Sequence, residues 1–394
     1  MTPRIVFWCG RTLEEWAPPV LNSTGIGGSE TAVVKIAERF ARDGWRVDVF
    51  TSAGRYEGEY DGVGYWEPHR LGGDEACDVL VSWRQLRAHS LPVRARTRVV
   101  WLHDHNHGPG AGAELQRFDR VLGVSEYHRR FLAEAYDLER VACVPNGIEI
   151  DRFDPTIKKI KGRVTYANSP DRGLLTLLNM WPSIIGNEKK PELHIAYGFE
   201  NVDKWIASGR NDLAEFKSEC MHLIENTRQV VYRGRLPQDE LAKLYCESYM
   251  WAYPSDFTET SCISAMESMA GGCIPVTSSV AALKETVGDG GLVVYGPNGT
   301  RSNPYSPAWR EFFIACARGV LFELQTRKIL EARARARAPL FSWDNSYERH
   351  WKPLIAELLG DVAPRESAHR SPNGAVLETV SAAEVGDSLA VPVP

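Results

Sequence analysis

Two carboxylates with seven residues between them, Glu259 and Glu267, bracket a turn in a chain of 394 residues. Just before them, Tyr249-Met250-Trp251-Ala252-Tyr253-Pro254 is an apolar, aromatic run that reads as a buried parallel strand. Just after, Ile263, Met266 and Ala270 recur at helical spacing and Gly271-Gly272 supply a stop. Thr260 or Ser261 is the natural N-cap, with Cys262 beside them. A strand, a loop and a helix in that order aim the helix N-terminus beyond the carboxyl end of the strand, where it can receive an anion. Glu267 reaches toward the same crevice from the first two turns. Two acids at this spacing also suit a plain solvated helix face, so the rest of the chain must supply the context.

A second candidate anion site lies upstream. Residues 161–167 read as the first strand of a sheet, and Asn168-Ser169-Pro170-Asp171-Arg172-Gly173 is the loop that follows. A helix over 174–181 puts Arg172 at another helix N-terminus, where a guanidinium suits a pyrophosphate. Farther upstream, His103-Asp104-His105-Asn106-His107 alternates histidines that would face one way if extended, the pattern of a metal site. No acidic or cysteine cluster elsewhere completes a ligand set, so no metal is expected, and His105 and His107 read as exposed loop residues.

These groups need elements to hold them. Residues 4–10 read as a first parallel strand, and Gly25-Ile26-Gly27-Gly28-Ser29-Glu30 opens a helix in which Val33, Ile36, Ala37 and Phe40 share a face. A strand over 44–51 completes a strand-helix-strand unit. A dehydrogenase fingerprint needs its first glycine directly after the first strand, and Gly25 lies well downstream of Gly10, so that reading is set aside. Strands over 78–83, 98–103, 119–125 and 140–148 finish one sheet. Those over 193–198, 229–234, 276–279 and 291–294 join the strands at 161–167 and 249–254 in another. The fold class is α/β, with two Rossmann-like doubly wound domains. Arg333, Arg335 and Arg337 scatter around a solvated helix.

Composition narrows the class. The chain is long enough for two domains, and its net charge of -5 gives no global attraction to nucleic acid or anionic lipid. Eight cysteines are scattered without a Cys-x-x-Cys pair, which fits reduced thiols and a cytoplasmic protein. The apolar start is too short for a signal sequence, and no run reaches transmembrane length.

The Glu259-to-Glu267 spacing resembles the Glu-x7-Glu signature of retaining nucleotide-sugar glycosyltransferases of GT-B fold, in particular glycosyltransferase family 4. Gly27-Gly28-x-Glu30, His103-Asp104, Pro145-Asn146-Gly147 and Arg172 resemble that family in the same order, over about residues 4 to 358. The resemblance implies two domains facing across a cleft: an acceptor-side domain at 1–155, a nucleotide-sugar domain at 156–340, and a helix at 341–360 crossing back onto the first. Residues 361–394, polar and rich in Pro, Ser, Gly and Ala, read as a disordered tail.

It also implies roles. Glu259 contacts the donor sugar and Glu267 the nucleotide ribose. His103, with Asp104 behind it, stands near the anomeric centre. Gly27, Gly28, Arg172, Thr260, Ser261, Cys262 and Ile263 hold the diphosphate, while Arg235 and Leu236 line the base pocket. The family usually has a second basic residue five positions before Arg172; here that position is Ala167, so Arg233 or Arg235 is the candidate for the missing charge. The implied reaction needs no protein nucleophile, and without any Asp-x-Asp it implies no bound divalent ion. A catalytically silent nucleotide-sugar-binding module is the rival reading.

For the acceptor, the residues themselves say something. From Val79 to His103 there is no acid, while Arg84, Arg94, Arg96 and Arg98 fall in that span. A local positive patch suggests an anionic acceptor: a lipid-linked sugar or glycan met peripherally at the inner membrane surface, or, less favoured, nucleic acid. A solvated connecting loop is the plain alternative.

Overall fold

Parallel strands covered by helices on both faces are built from uninterrupted β-branched and aromatic runs. In the computed structural model, which describes residues 2–360 except Leu13 and Thr24, such runs assemble into two sheets. The tail expected at 361–394 lies outside the described residues.

The first sheet contains β1 (Arg4–Trp8), β2 (Arg46–Phe50), β3 (Gly58–Tyr60), β4 (Val63–Trp66), β5 (Ala76–Trp83), β6 (Arg94–Trp101), β7 (Arg120–Gly123) and β8 (Val141–Cys143), in the order β3-β4-β2-β1-β5-β6-β7-β8. Its edge strand β3 is antiparallel to β4. Both are short and interrupted by glycine, so the apolar pattern did not reveal them. The second sheet contains β9 (Arg163–Tyr166), β10 (Glu192–Ile195), β11 (Val230–Tyr232), β12 (Met250–Tyr253), β13 (Ile274–Ser278) and β14 (Leu292–Val294), all parallel, in the order β11-β10-β9-β12-β13-β14. The strand order reverses at β1/β5 and at β9/β12, and an open α/β sheet forms its ligand crevice beyond the carboxyl ends of such strands.

After β9 the helix Leu174–Ile185 runs through Pro182 instead of stopping before it. Its buried face of Leu177, Leu178, Trp181, Ile184 and Ile185 offsets the backbone bond that the proline removes.

Two passes of the chain join the domains side by side. The Ile148 amide donates to the Phe341 carbonyl at 2.7 Å, and the Trp343 amide donates to the Ile148 carbonyl at 3.2 Å. The returning pass continues as Trp343–Ser346, a π-helical turn at Tyr347–Trp351, and the helix Lys352–Leu359. It crosses back to bury Trp343, Tyr347, Trp351, Leu354 and Ile355 in the core of the first domain. The Tyr347 ring meets Phe40 edge-on at 4.9 Å between centroids, and Trp351 meets Trp101 at 4.8 Å. Beside them the buried Arg39 donates to Asp344 and Glu149, the pairing a buried cation requires.

The arginine patch is divided by this fold. Arg94 and Arg96 are strand residues in the amino-terminal half of β6 and Arg98 stands at its middle, while the carboxyl end of the strand leads to His103. At roughly 3.3 Å per residue, Arg94 is about 23 Å and Arg98 about 10 Å from that end. Arg94 donates to the Asp74 carbonyl, Arg96 to Asp78 and the Leu359 carbonyl, and Arg98 to the carbonyls of Ala88, Leu91 and Val93. These three arginines tie loops and the crossing helix to the first half and middle of β6, and their bonds go to groups outside the crevice. All eight cysteines are unpaired.

Candidate active site

The loops after β9 and β12 lie against each other because neither carries bulk where they touch. Gly173 adopts φ +104°, and a Cβ there would come within 2.5 Å of the Pro254 carbonyl oxygen. Trp251 Nε1 donates to Asn168 Oδ1 at 3.2 Å across the same seam. This contact sets Arg172 Nη1 at 3.3 Å from Glu259 Oε1, which also accepts the Tyr253 hydroxyl at 2.6 Å. The guanidinium stacks 3.8 Å from the centre of the Phe257 ring. Burial works against the Arg172 charge, but Glu259 and Tyr253 outweigh it and hold the cation above its ordinary range. Glu259 itself is only 5% exposed.

Beyond Glu259 the loop is fixed by the first domain. The Thr260 hydroxyl donates to the His103 carbonyl at 2.8 Å, and the Ser125 hydroxyl donates to the Thr260 carbonyl at 2.6 Å. Thr260 is therefore not the N-cap. The helix Ile263–Ala270 is capped by Cys262 with no side-chain bond, and its first amides are left for whatever enters the crevice. Facing it is the N-terminus of Gly28–Arg42, where Gly27 is the N-cap. A Cβ on Gly28 would lie 3.0 Å from Ile263 Cδ1, so the two helix ends approach as closely as a glycine permits. Arg235 spans the same gap, donating to the Gly25 carbonyl at 3.3 Å. Arg233 donates to His194 instead, and Leu236 packs on the core of the second domain.

His103, at the carboxyl end of β6, is 8% exposed, with its ring 4.7 Å from Trp101 and 6.2 Å from Trp83 between centroids. Burial, then the nearby Arg84 and His128, hold its pKa well below the ordinary imidazole value, so the ring is neutral. Asp104 does not stand behind it. Its carboxylate turns to Arg84 at 2.5 Å, and Arg84 takes a positive φ of 61°. The partner that fixes this loop is His128, which sequence reasoning missed. The Val124 amide donates to His128 Nδ1 at 3.3 Å, so Nε2 carries the hydrogen and donates to the Asp104 carbonyl at 3.0 Å. Burial pushes the His128 pKa down to about 3.

The other two histidines diverge. His105 packs edge-on against Phe131 at 4.5 Å, and His107 Nε2 bonds the Asp104 carbonyl at 2.8 Å. Among the described residues no three His, Cys, Asp or Glu side chains converge as a ligand set.

Buried polar atoms without a partner are uncommon in native interiors. His103 Nε2, Arg172 Nε and Ser261 Oγ are three of them, all on the loops just described. Glu267 sits on the Ile263–Ala270 helix, partly buried, and burial pushes its pKa up to about 7 against a weaker pull from Arg152. A further carboxylate went unnoticed in the sequence. Glu285 accepts from the amides of Glu126 and Tyr127 at 2.8 and 2.7 Å, joining the second domain to the N-terminus of the helix Glu126–Tyr136.

Residues 162–302, which contain Arg172, Glu259, Glu267 and Glu285, match the family described as Glycosyl transferases group 1. The whole architecture is similar to sucrose-phosphate synthase from Thermosynechococcus elongatus, with a TM-score of 0.68 at 14% identity over 91% of this chain and 100% of that one. The chain has the GT-B glycosyltransferase fold. Anabaena HepE, solved in complex with UDP and glucose, shares this GT-B arrangement with a TM-score of 0.63 at 16% identity, over 91% of this chain and 100% of that one. By sequence, the GT-B chain is 35% identical over 117 residues to O-antigen chain mannosyltransferase B of Escherichia coli, covering 29% of this chain and 27% of that protein. It is 23% identical over 189 residues to lipopolysaccharide 1,2-N-acetylglucosaminetransferase of Salmonella typhimurium, covering 43% and 47%. The chain thus spans about a quarter to a half of the length of these curated relatives.

Proposed function

We propose that the protein is a glycosyltransferase that moves a sugar from a nucleotide-diphosphate sugar to an acceptor hydroxyl with retention of configuration. The observation that carries this reading is the Arg172–Glu259 pair, its carboxylate buried and its guanidinium one-third exposed. The loops around it also hold the unsatisfied buried His103 Nε2 and Ser261 Oγ and lead to the helix N-terminus at Ile263, which faces the one at Gly28. Breaking a sugar-phosphate bond builds negative charge on the diphosphate and positive charge at the anomeric carbon, and catalysis rests on complementarity to both. Arg172 and the amides at Gly28 and Ile263 suit the diphosphate, with Arg235 as the second cation. Glu259, held by Tyr253 and Arg172, suits the sugar hydroxyls, and the neutral His103 offers Nε2 to another. Glu267 suits the ribose.

In this reaction the bond from the anomeric carbon to the phosphate oxygen breaks and the bond to the acceptor oxygen forms on the same face. The acceptor proton passes to the departing phosphate oxygen. No nucleophile from the chain and no metal ion enter the scheme. The names of the E. coli and Salmonella relatives favour a glycan or lipid-linked glycan acceptor. Among the described residues no helix is long and apolar enough to cross a membrane.

The test is a panel of nucleotide sugars incubated with the protein. Slow release of nucleoside diphosphate from one donor is expected, with the configuration of the transferred sugar read by NMR. Binding by calorimetry without release over hours would favour a silent binding module, a reading that Arg172 already neutralised by Glu259 keeps in play.

A further inference from the structure

Next to the crevice, two adjoining cavities open along the seam between the domains. One, of about 310 Å³, is lined by Tyr127, Thr258, Ser279, Lys284, Tyr295 and Arg301 among others. The second, of about 410 Å³, shares Tyr127, Lys284 and Tyr295 with it and adds Glu126, Arg130 and Glu285. Thr258 directly precedes Glu259, and Tyr127 lies two positions after Ser125, which binds Thr260. The cavities therefore adjoin the proposed donor site.

The lining has a definite chemistry. Both acids in it are engaged: Glu285 holds the Glu126 and Tyr127 amides, and Glu126 is paired with Arg129 at 2.6 Å and Arg130 at 3.7 Å. Among the described residues neither Lys284 nor Arg301 has a carboxylate within ion-pair distance, and both are exposed. Glu285 keeps its charge, since amides do not neutralise it, but Arg130, Lys284 and Arg301 outnumber Glu126 and Glu285 in the lining, so the balance of the cavity is positive. Tyr127 and Tyr295 present aromatic rings from opposite domains, Tyr295 at 45% exposure, and such rings suit the apolar faces of a pyranose. Thr258 adds a hydroxyl for its oxygens, while those of Ser279 and Thr300 already bond Ser302 and the Pro297 carbonyl.

We propose that this seam binds an anionic sugar of the acceptor, one bearing a phosphate or a carboxylate, with Lys284 and Arg301 on the charge and the two tyrosines on the ring. The inference rests on the glycosyltransferase reading for the word acceptor, while the binding itself does not.

Saturation-transfer NMR on the full chain tests it, with mannose 6-phosphate, methyl glucuronide and neutral methyl mannoside as probes. Both anionic sugars should give contacts to their ring protons and the neutral one far weaker contacts. Response to only one of them would identify phosphate or carboxylate as the recognised group. Lys284→Gln with Arg301→Gln should weaken binding of the anionic probe at least ten-fold, with nucleoside diphosphate binding and donor hydrolysis unchanged. These side chains are exposed, and an unchanged melting temperature would verify that the variant is folded. Equal binding of neutral and anionic probes, or no loss in the double variant, overturns the proposal. Probe binding that survives while every nucleotide sugar stays intact would sink the transferase reading and leave the anionic-sugar site standing.

Discussion

Glu285 and Tyr127 belong to different domains, yet the carboxylate of the first accepts the amide hydrogen of the second at 2.7 Å. The Glu126 amide joins it at 2.8 Å, so a second-domain acid occupies the N-terminus of a first-domain helix. Together with Thr260 on His103 and Ser125 on Thr260, it holds the cleft closed around Glu259.

Glu285→Ala should therefore open the protein without unfolding it. A charge-assisted bond at a helix N-terminus contributes about 1 to 2 kcal/mol, roughly ten-fold in the closed-to-open ratio. Small-angle scattering should show a larger radius of gyration, and donor hydrolysis should slow. An unchanged scattering profile would deny Glu285 this role.

Glu259→Gln keeps a partner for Tyr253 but removes the charge that faces Arg172. Turnover should fall by about 10² to 10³, the usual cost of one preorganised electrostatic contact. Nucleoside diphosphate affinity, measured by calorimetry, should be retained or rise as Arg172 is released. Parallel loss of both would contradict a sugar-side role.

Arg172→Ala should weaken nucleoside diphosphate binding by about ten-fold or more and leave nucleoside binding nearly unchanged, since a charged hydrogen bond contributes about 1.5 to 3 kcal/mol. Equal affinity for the diphosphate in wild type and variant would place the phosphate cradle elsewhere.

Burial raises Glu267 from an ordinary 4.5 to about 7 in the folded protein. The folded state then holds more protons than the unfolded state between these values, so this group's contribution to stability is full below pH 4.5 and is lost as pH rises toward 7. Glu267→Gln should flatten that part of the melting-temperature profile. Above pH 7 the ionised carboxylate is the better acceptor for ribose hydroxyls, so nucleotide affinity in the wild type should rise through the same range. A profile identical in wild type and variant would remove Glu267 as its source.

Replacing Arg94, Arg96 and Arg98 together by Ser should lower the melting temperature while sparing transfer, because their bonds go to Asp74, Asp78, Leu359 and the 88–93 carbonyls. A selective rise in KM for the acceptor at unchanged stability would restore them to the site.

What could be read from the sequence was local. The runs at β1, β5, β9 and β12 are apolar because both their faces are covered, and Arg172, Glu259 and Glu267 stand at loop-to-helix junctions visible within a few residues. Glu285, His128 and Ser125 were not legible, because their partners are an amide pair, a carbonyl and a loop far along the chain. Thr260 was misjudged for the same reason, its hydroxyl being claimed by His103 before it could cap a helix. Arg94 and Arg96 hid the first half of β6, read from the sequence as starting only at Arg98, since charged residues there replace the apolar run that marks a strand.

The returning pass has a consequence for how the protein is made. A ribosome delivers β1 to β8 early, yet the core they enclose includes Trp343, Tyr347 and Trp351. Until the second domain has been synthesised in full, Phe40 and Trp101 of the nascent chain lack the rings that cover them. The first half of the polypeptide is thus the last to be completed, and any stop codon before Trp343 would leave an apolar face bare for chaperones or aggregation.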